Sequence, residues 1–321
     1  MAWRSPTHCG RNELVIHFAD AAVTARVGVT MTKLPRRTTE YVMGIVDTSR
    51  WDQFSHRPDD VFVCTPAKCG TTWTQGICAM LVQGTPDFEG SLTEISPWLD
   101  CVHPPLEEVL SGLEAQTHRR VIKTHTPLDG IPFFPECTYI AVYRDPRDAC
   151  LSGQSHGQNL LMTRENTTRD PEEFFLNWIR TDGKDFEEMP LQGLIHHFRT
   201  FHEFKHLDNL VLIHYADMLR DLREIVGRLA KLLKVDLDSD VLDAIAHAAS
   251  FGSMKSAYSK FVPAAGWGAW EEESRFFNKG SHGQWKDTLS REALERYDEV
   301  MRAALSESEV AWLQYGETAS S

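Results

Sequence analysis

The sequence lacks any apolar run that approaches the roughly 18 residues of a membrane-spanning helix, which argues against an integral membrane protein. It also lacks a cysteine framework. The seven cysteines, at positions 9, 64, 69, 78, 101, 137 and 150, are odd in number and include no C-x-x-C pair. Such scatter is typical of free thiols in a reducing compartment rather than of disulfides or zinc ligands. We therefore expect a cytoplasmic protein without a metal site.

Positive charge is scarce as well. The chain has 33 Lys and Arg residues against 46 Asp and Glu residues, a formal net charge of −13. An acidic protein is disfavoured as a general binder of nucleic acid or of anionic membranes. If the protein binds an anion, a local cluster of basic residues must hold it.

Internal repeats and low-complexity linkers are also lacking, and 321 residues suit one large α/β domain or two small ones. The stretch 14–29 is mildly apolar but contains Asp20 and Arg26, which makes it a poor signal-peptide core. We expect residues 1–30 to be an N-terminal extension that need not be well ordered, and residues 31–321 to form a single domain.

Short β-rich runs alternate with segments of helical periodicity. The runs are Val61–Cys64, Val121–Ile122, Tyr139–Tyr143 and Leu210–Ile213, and the helical segments include Pro171–Glu188, Leu191–His206 and Asp217–Leu233. This alternation predicts an α/β fold, with a central parallel sheet flanked by helices. In such sheets, ligands bind beyond the carboxyl ends of the strands.

Each predicted strand is followed by a chemically capable side chain. Lys68 follows the first run, Lys123-Thr124-His125 the second, Arg144 the third and Tyr215 the fourth. Because the carboxyl ends of parallel strands share one edge, these side chains are expected to meet there. Their convergence indicates a ligand site.

The segment Thr65–Trp73 has the character of a phosphate-binding loop. It joins a predicted strand to a helix whose first N–H groups are unpaired and attract anions. Gly70 allows close backbone approach, Lys68 adds charge, and Thr71 and Thr72 add hydroxyl groups. It is not a Walker A motif, in which the Lys follows the second Gly. A capped helix after a strand is the simpler alternative for this segment alone.

Several motifs together carry a family resemblance. Pro66–Trp73 is similar to Pro-Lys-Ser-Gly-Thr-Thr-Trp, Lys123–His125 to Lys-Thr-His, and Arg144 has a serine, Ser152, eight residues later. With 276–286, which is similar to a C-terminal Arg-Lys-Gly-x-x-Gly-Asp-Trp motif, the chain resembles the cytosolic-type sulfotransferases over about residues 34–305. We expect a bacterial member with the P-loop-like sulfotransferase fold.

The resemblance implies a donor, 3′-phosphoadenosine-5′-phosphosulfate (PAPS), and no metal. It implies that the sulfuryl group goes to a hydroxyl of a small or lipid-like acceptor, with no nucleic acid and no membrane span. The implied nucleotide-binding residues are Lys68, Cys69, Gly70, Thr71, Thr72 and Trp73 for the 5′ phosphosulfate, Arg144 and Ser152 for the 3′ phosphate, Tyr215 and Phe251 (with Trp73) for adenine, and Phe277, Asn278, Lys279 and Gly280 in the C-terminal motif.

Sulfuryl transfer resembles phosphoryl transfer in depending mostly on positioning and electrostatics. His125 is the candidate base, because a near-neutral pKa suits removal of a hydroxyl proton. Lys68 is expected to stabilise the leaving oxygen and Lys123 the sulfuryl oxygens. Trp98, Trp267 and Trp270 are candidates for an apolar acceptor pocket, whereas Arg147 and Lys286 are expected to be surface charges.

The chain also departs from the family pattern. Ala67 lengthens the first loop, and Cys69 replaces Ser at a helix start, where its pKa could be lowered; an inert buried thiol is the alternative. Asn278 replaces Arg, a loss for which the nearby Arg275 could compensate. Arg291 replaces a Val of the animal dimer motif, which leaves the oligomeric state open.

Two other functions remain as alternatives. A P-loop-type kinase would require Mg²⁺ and a correctly placed Gly-Lys-[Ser/Thr] sequence, which this chain lacks. A non-catalytic nucleotide-binding scaffold is disfavoured because Lys68 and His125 are both present.

Overall fold

A four-stranded parallel β-sheet lies at the centre of the computed structural model, which describes residues 33–180, 190–263, 265–266 and 268–317. Its strands are β3 (Val61–Cys64), β4 (Val121–Thr124), β5 (Thr138–Tyr143) and β6 (Leu210–His214), in the order β4-β3-β5-β6. A hairpin of β1 (Val42–Met43) and β2 (Val46–Asp47) precedes them. The predicted extension, residues 1–30, lies outside the described residues.

Helices surround the sheet. The α-helices of the described residues are α1 Thr71–Gln83, α2 Leu92–Ile95, α3 Leu106–Ala115, α4 Pro146–Asn159, α5 Pro171–Arg180, α6 Leu191–His202, α7 Tyr215–Arg220, α8 Leu222–Leu232, α9 Ser239–Ala248, α10 Phe251–Ser256, α11 Tyr258–Phe261, α12 Arg291–Ala304 and α13 Glu307–Tyr315. Short 3₁₀ helices span Thr48–Gln53, Leu128–Gly130, Glu273–Phe276 and Gln284–Asp287. None of the helices described is long and apolar enough to cross a bilayer.

The strands are buried because both faces of the sheet are covered. Every residue of β3 and β5 is buried. Alternate side chains enter two separate apolar clusters: Phe62 and Tyr139 belong to one, whereas Val63 and Ile140 belong to the other. This period-2 division of apolar residues is what a sheet between two helical layers requires.

The strand order creates a crevice. From β3 the chain crosses to β4 on one side, and from β5 it crosses to β6 on the other. The segments that follow β3 and β5 therefore diverge, which leaves an opening beyond the carboxyl ends of these two neighbouring strands. Lys68 follows β3 and Arg144 follows β5, so both flank this opening.

The predicted α/β fold with its parallel sheet is confirmed, with differences at element ends. Lys123 and Thr124 belong to β4 rather than following it. The predicted helix 217–233 is split into α7 and α8 at Asp221, whose side chain accepts a hydrogen bond from the Glu224 N–H and begins a new helix. The predicted helix 191–206 ends at His202. Of the predicted helix 171–188, the structure describes the part to Arg180.

Candidate active site

The loop after β3 is shaped to receive an anion. Lys68 and Gly70 both adopt left-handed backbone conformations, with φ of 64° and 111°. The turn leads directly into α1, whose N-cap residue, Gly70, provides no capping side chain for the first N–H groups. Converging, uncapped N–H groups at a helix start form a binding site for an anionic group.

Gly70, which has a left-handed backbone conformation, also lies close to a side chain of another segment. A Cβ atom at this position would lie 3.1 Å from Cδ2 of Tyr215, at the start of α7. The Tyr215 ring in turn lies 4.5 Å from the Arg144 guanidinium carbon. The segments after β3, β5 and β6 therefore converge, as the sequence predicted.

Arg144 is a buried cation, 5% exposed, without a carboxylate partner among the described residues. Its Nη1 and Nη2 donate to the backbone carbonyl oxygens of Lys68 (3.4 Å) and Ser281 (2.8 Å). Its Nε is buried and has no hydrogen-bond partner within the part of the chain that the structure describes. A buried guanidinium with no ion pair and with one unpaired N–H is costly, although the charge of Asp148 acts on it from a distance. These features indicate an anionic ligand.

Helix α4 begins two residues after Arg144 and contains Ser152. The Ser155 hydroxyl, nearly one turn further along, accepts a hydrogen bond from Asn278 Nδ2 at 3.0 Å. The C-terminal motif therefore meets α4 beside Ser152. Arg275, the proposed compensating residue, instead lies exposed and bonds to Glu271 at 3.4 Å. Lys279 is exposed to solvent.

Aromatic side chains line the part of the site expected to hold the base. Trp73 donates through Nε1 to the Ala249 carbonyl oxygen at 2.7 Å and meets the Tyr215 ring edge-on at 5.2 Å. Phe251 begins α10 and packs 6.1 Å from Phe277. Flat aromatic faces can hold a nucleobase.

Gly280, in the C-terminal motif, is constrained both by its backbone conformation and by a close contact. Its φ is 60°, and a Cβ atom there would lie 2.3 Å from the Phe251 ring. Any side chain would therefore displace Phe251 from the predicted adenine site.

His125 is oriented as a base. Its Nδ1 lies 2.7 Å from the Thr65 carbonyl oxygen, which can only accept a hydrogen bond, so Nδ1 carries the proton and Nε2 the lone pair. Burial, and secondarily the charge of Lys123, lowers the pKa of His125 well below its ordinary value. The neutral imidazole is therefore the resting form.

Two lysines accompany this histidine. The Lys123 ammonium lies 4.1 Å from the centroid of the Trp98 ring, which also meets His125 edge-on. Burial lowers the pKa of Lys123 to about 8. Burial, with the charges of Arg144 and Lys123, lowers the pKa of Lys68 to about 7. Strongly perturbed lysines beside a neutral histidine are typical of a functional site.

Sequence reasoning missed His156. Its Nδ1 lies 2.9 Å from the Lys68 ammonium nitrogen, and its ring packs against Trp270 and Phe276. A signal was available: His156 lies four residues after Ser152 on the same helix, and i, i+4 side chains share one face.

Asp100 was missed as well, and no local pattern could have found it. It is fully buried, and its Oδ2 accepts hydrogen bonds from the hydroxyls of Thr124 (2.6 Å) and Thr126 (2.7 Å). These two residues flank His125, so Asp100 fixes the backbone that presents the histidine. Asp100 lies 24 positions before Thr124 and 26 positions before Thr126 in the chain.

The glycine-rich end of the C-terminal motif is anchored to α4 by two carboxylates. Asp148 accepts from the backbone N–H groups of Gly283 and Gln284 at 2.6 and 2.7 Å. Asp145 accepts from the Trp285 indole at 2.9 Å and pairs with Arg147 at 2.8 Å. The prediction of Arg147 as a surface charge is wrong: it is 5% exposed. Lys286 is exposed, as predicted.

Of the two alternatives for Cys69, the structure favours the inert buried thiol over the acidic one. The side chain is fully buried, and burial raises its pKa to about 12 although Arg144 and Lys68 act in the opposite direction. The helix-terminus effect invoked from sequence is smaller than the cost of desolvating a thiolate. The six described cysteines are all free and buried.

The structure places two of the three tryptophans that were predicted to line an acceptor pocket. Trp98 contacts His125 and Lys123, and Trp270 contacts His156, so both border the reactive groups. Trp267 lies outside the described residues. Next to Trp270, whose segment pairs with Leu160, the chain exposes Leu161 (39%) and Met162 (78%). We call Leu161–Met162 the apolar lip.

The chain is similar to known proteins both in sequence and in structure. The family model described as "Sulfotransferase domain" matches residues 58–309. A glycolipid sulfotransferase of Mycobacterium bovis is 33% identical over 303 residues, covering 85% of this chain and 93% of its own length. An amine sulfotransferase of Oryctolagus cuniculus is 31% identical over 273 residues, covering 80% and 84%.

Solved structures agree on the fold. Mouse sulfotransferase SULT7A1 complexed with PAP superposes with a TM-score of 0.65 at 21% identity, covering 84% of this chain and 95% of that one. Retinol dehydratase in complex with androsterone and PAP gives a TM-score of 0.61 at 22% identity, covering 81% and 84%.

Proposed function

Because this chain belongs to the sulfotransferase family, we propose that it transfers the sulfuryl group of PAPS to a hydroxyl of a lipid-like acceptor, with glycolipids as the first class to test. One observation carries the proposal. A single crevice combines a neutral histidine, two lysines with lowered pKa values and a buried guanidinium whose Nε has no hydrogen-bond partner among the described residues. An anionic donor and a hydroxyl acceptor require these groups together.

The residues have distinct roles in the proposed nucleotide site. The loop 68–73 and the first N–H groups of α1 receive the 5′ phosphosulfate. Arg144, with Ser152, binds the 3′ phosphate, whose oxygens can accept the hydrogen bond that the buried Nε of Arg144 does not make within the described residues. Trp73, Tyr215 and Phe251 hold the adenine. Asn278, Lys279 and Gly280 close the site from the C-terminal motif, with Phe277 supporting Phe251.

In the proposed reaction, the acceptor hydroxyl oxygen attacks sulfur in line with the bond that joins sulfur to the bridging oxygen of the 5′ phosphate. His125 Nε2 takes the hydroxyl proton as the new O–S bond forms. The electron pair of the broken bond stays on the bridging oxygen, where Lys68 stabilises the charge. Lys123 stabilises the sulfuryl oxygens, and His125 later returns its proton to water.

Support for a lipid-like acceptor comes from the surroundings of this centre. Trp98, Trp270 and Phe276 supply apolar area next to His125 and His156. The apolar lip continues this area onto the surface. The first of the relatives above is named a glycolipid sulfotransferase.

A thermal-shift panel tests the donor. PAP, AMP and ATP with Mg²⁺ are compared at equal concentration. A ligand present at about 100 times its Kd stabilises by about 2.7 kcal/mol, so PAP is expected to raise the Tm by several degrees and AMP by less. A large shift with ATP and Mg²⁺ but not with PAP would favour the kinase alternative and contradict this proposal.

A further inference from the structure

We propose that His156 is a positioning residue for Lys68: its Nδ1 accepts the lysine's hydrogen bond and holds the charged ammonium in place for the leaving oxygen. The proposal rests on the proposed function, in which Lys68 must be charged. It starts from the 2.9 Å contact between Lys68 Nζ and His156 Nδ1.

The surroundings of Lys68 explain why an acceptor is needed. Arg144 faces it from the end of β5, Lys123 and His125 from the end of β4, and His156 from α4, while the Cys69 thiol adjoins it in the loop. Among the described residues no carboxylate forms an ion pair with Lys68. Its neighbours are therefore cationic or neutral, and burial among them opposes the charged form.

A neutral acceptor suits this position better than a carboxylate. An ammonium paired with Asp or Glu would lose much of its attraction for an anionic ligand. The imidazole nitrogen accepts a hydrogen bond and favours the charged lysine, yet leaves the net charge at +1. His156 therefore orients a flexible four-carbon side chain without neutralising it.

The His156 ring is itself held in place. Trp270 lies 4.9 Å and Phe276 5.9 Å from it, centroid to centroid, both at steep angles. Burial and the charges of Lys68 and Lys123 lower the pKa of His156 well below its ordinary value, so the imidazole is neutral. With Nδ1 accepting, the proton resides on Nε2.

Two substitutions separate hydrogen bonding from packing. His156→Asn can place an amide oxygen close to the position of Nδ1 but removes most of the ring. His156→Phe keeps the ring and its contacts with Trp270 and Phe276 but has no acceptor. If His156 acts only by packing, His156→Phe should have the smaller effect. If His156 positions Lys68 through a hydrogen bond, His156→Asn should have the smaller effect.

The direct readout is the pKa of Lys68, measured without any ligand. The wild type and both variants are labelled with fluorodinitrobenzene from about pH 6 to about pH 10, and the Lys68 peptide is quantified by mass spectrometry. Losing a hydrogen bond to a charged group is expected to lower the Lys68 pKa by about one unit in His156→Phe. In His156→Asn, the pKa of Lys68 is expected to stay near its wild-type value. An unchanged Lys68 pKa in His156→Phe overturns the proposal.

The activity measurement then separates this proposal from the proposed function. At about pH 8, kcat/KM with PAPS is expected to fall about tenfold in His156→Phe and much less in His156→Asn. The alkaline limb of the profile is expected to move to lower pH in His156→Phe. A wild type that turns over no PAPS contradicts the proposed function, whereas the labelling result still decides the role of His156. If the pH profiles of kcat/KM are the same for His156→Phe and the wild type, the proposed role of His156 is overturned.

Discussion

At the scale of single residues, the protonation states of His125, Lys68 and Lys123 determine what the crevice can do. Nδ1 of His125 is fixed by the Thr65 carbonyl oxygen, which leaves Nε2 as the proton acceptor. The lysines must carry charge in a buried position that opposes charge. An anionic donor would restore their charge, which couples nucleotide binding to protonation.

His125→Ala is expected to lower kcat by about 10²- to 10⁴-fold, because a positioned general base contributes that much. PAP binding, measured by calorimetry, is expected to remain nearly unchanged, since His125 faces the acceptor. His206→Ala, which removes an exposed histidine, is the matched control. Retention of more than about half of the wild-type rate by His125→Ala would exclude this base.

The lysine pKa values predict a pH dependence of PAP binding. Lys68 is charged below its free-state pKa of about 7 and becomes neutral above it, and a bound anion raises that pKa. PAP binding is therefore expected to take up protons and to weaken as pH rises from about 7 to about 9. Calorimetry in buffers of different ionisation enthalpy measures the uptake. In Lys68→Gln, the proton uptake on PAP binding is expected to fall to the part contributed by Lys123. Proton uptake equal to that of the wild type would contradict its assignment to Lys68.

Arg144→Ala tests the 3′-phosphate site. The substitution is expected to lower the affinity for PAP by roughly 10- to 100-fold more than the affinity for adenosine 5′-phosphosulfate, which lacks the 3′ phosphate. The reason is that hydrogen bonds to charged groups contribute ~1.5–3 kcal/mol. Lys286→Ala, which removes an exposed charge at the end of the C-terminal motif, controls for nonspecific electrostatics. Calorimetric titration of both nucleotides gives the ratio. Equal weakening of the two ligands would place Arg144 elsewhere in the site.

The sequence could predict the residues at strand ends because parallel strands present them at one edge, and Lys68, His125, Arg144 and Tyr215 converge as expected. It could not predict residues that act through distant contacts. Asp100 reaches the threonines beside His125 only after folding. The surface position predicted for Arg147 is wrong, and the sequence could not decide between the two alternatives for Cys69. Both cases have one cause: burial depends on tertiary packing, which short motifs do not encode.

At the scale of elements, the strand–loop–helix unit from β3 to α1 and the helix α4 form the two walls of the crevice. The sequence located the four sheet strands because their apolar runs are short and bounded by polar residues. It misplaced helix ends where local capping decides, as at Asp221. The C-terminal motif is held on α4 by Asp145 and Asp148, so one helix positions Ser152, His156 and this motif together.

The apolar lip at the end of α4 gives a prediction at this scale. Met162→Glu is expected to lower kcat/KM for long-chain glycolipid acceptors by about tenfold, because burial of a methionine-sized surface contributes about 1.5–3 kcal/mol. The rate with a short-chain, water-soluble acceptor should change little. Tyr315→Glu, at a residue 48% exposed on α13, is the control. Equal losses with both acceptors would mean that the lip acts on the fold rather than on the lipid.

At the scale of the whole molecule, an acidic protein with a net charge of −13 concentrates Lys68, Lys123 and Arg144 around one opening. This arrangement matches the expectation that an anionic ligand would need a local basic cluster. The residues come from three separate strand ends, and the parallel sheet is the element that brings them together.

Turnover with ³⁵S-labelled PAPS and a panel of glycolipids tests the central claim most directly. The wild-type protein is expected to form a labelled lipid product and PAP in equal amounts, without added Mg²⁺. His125→Ala and Lys68→Ala are expected to form both at least about a hundred times more slowly, with a Tm close to that of the wild type. Labelled product at the wild-type rate from both variants, or PAP release without a sulfated acceptor from the wild type, would contradict the account.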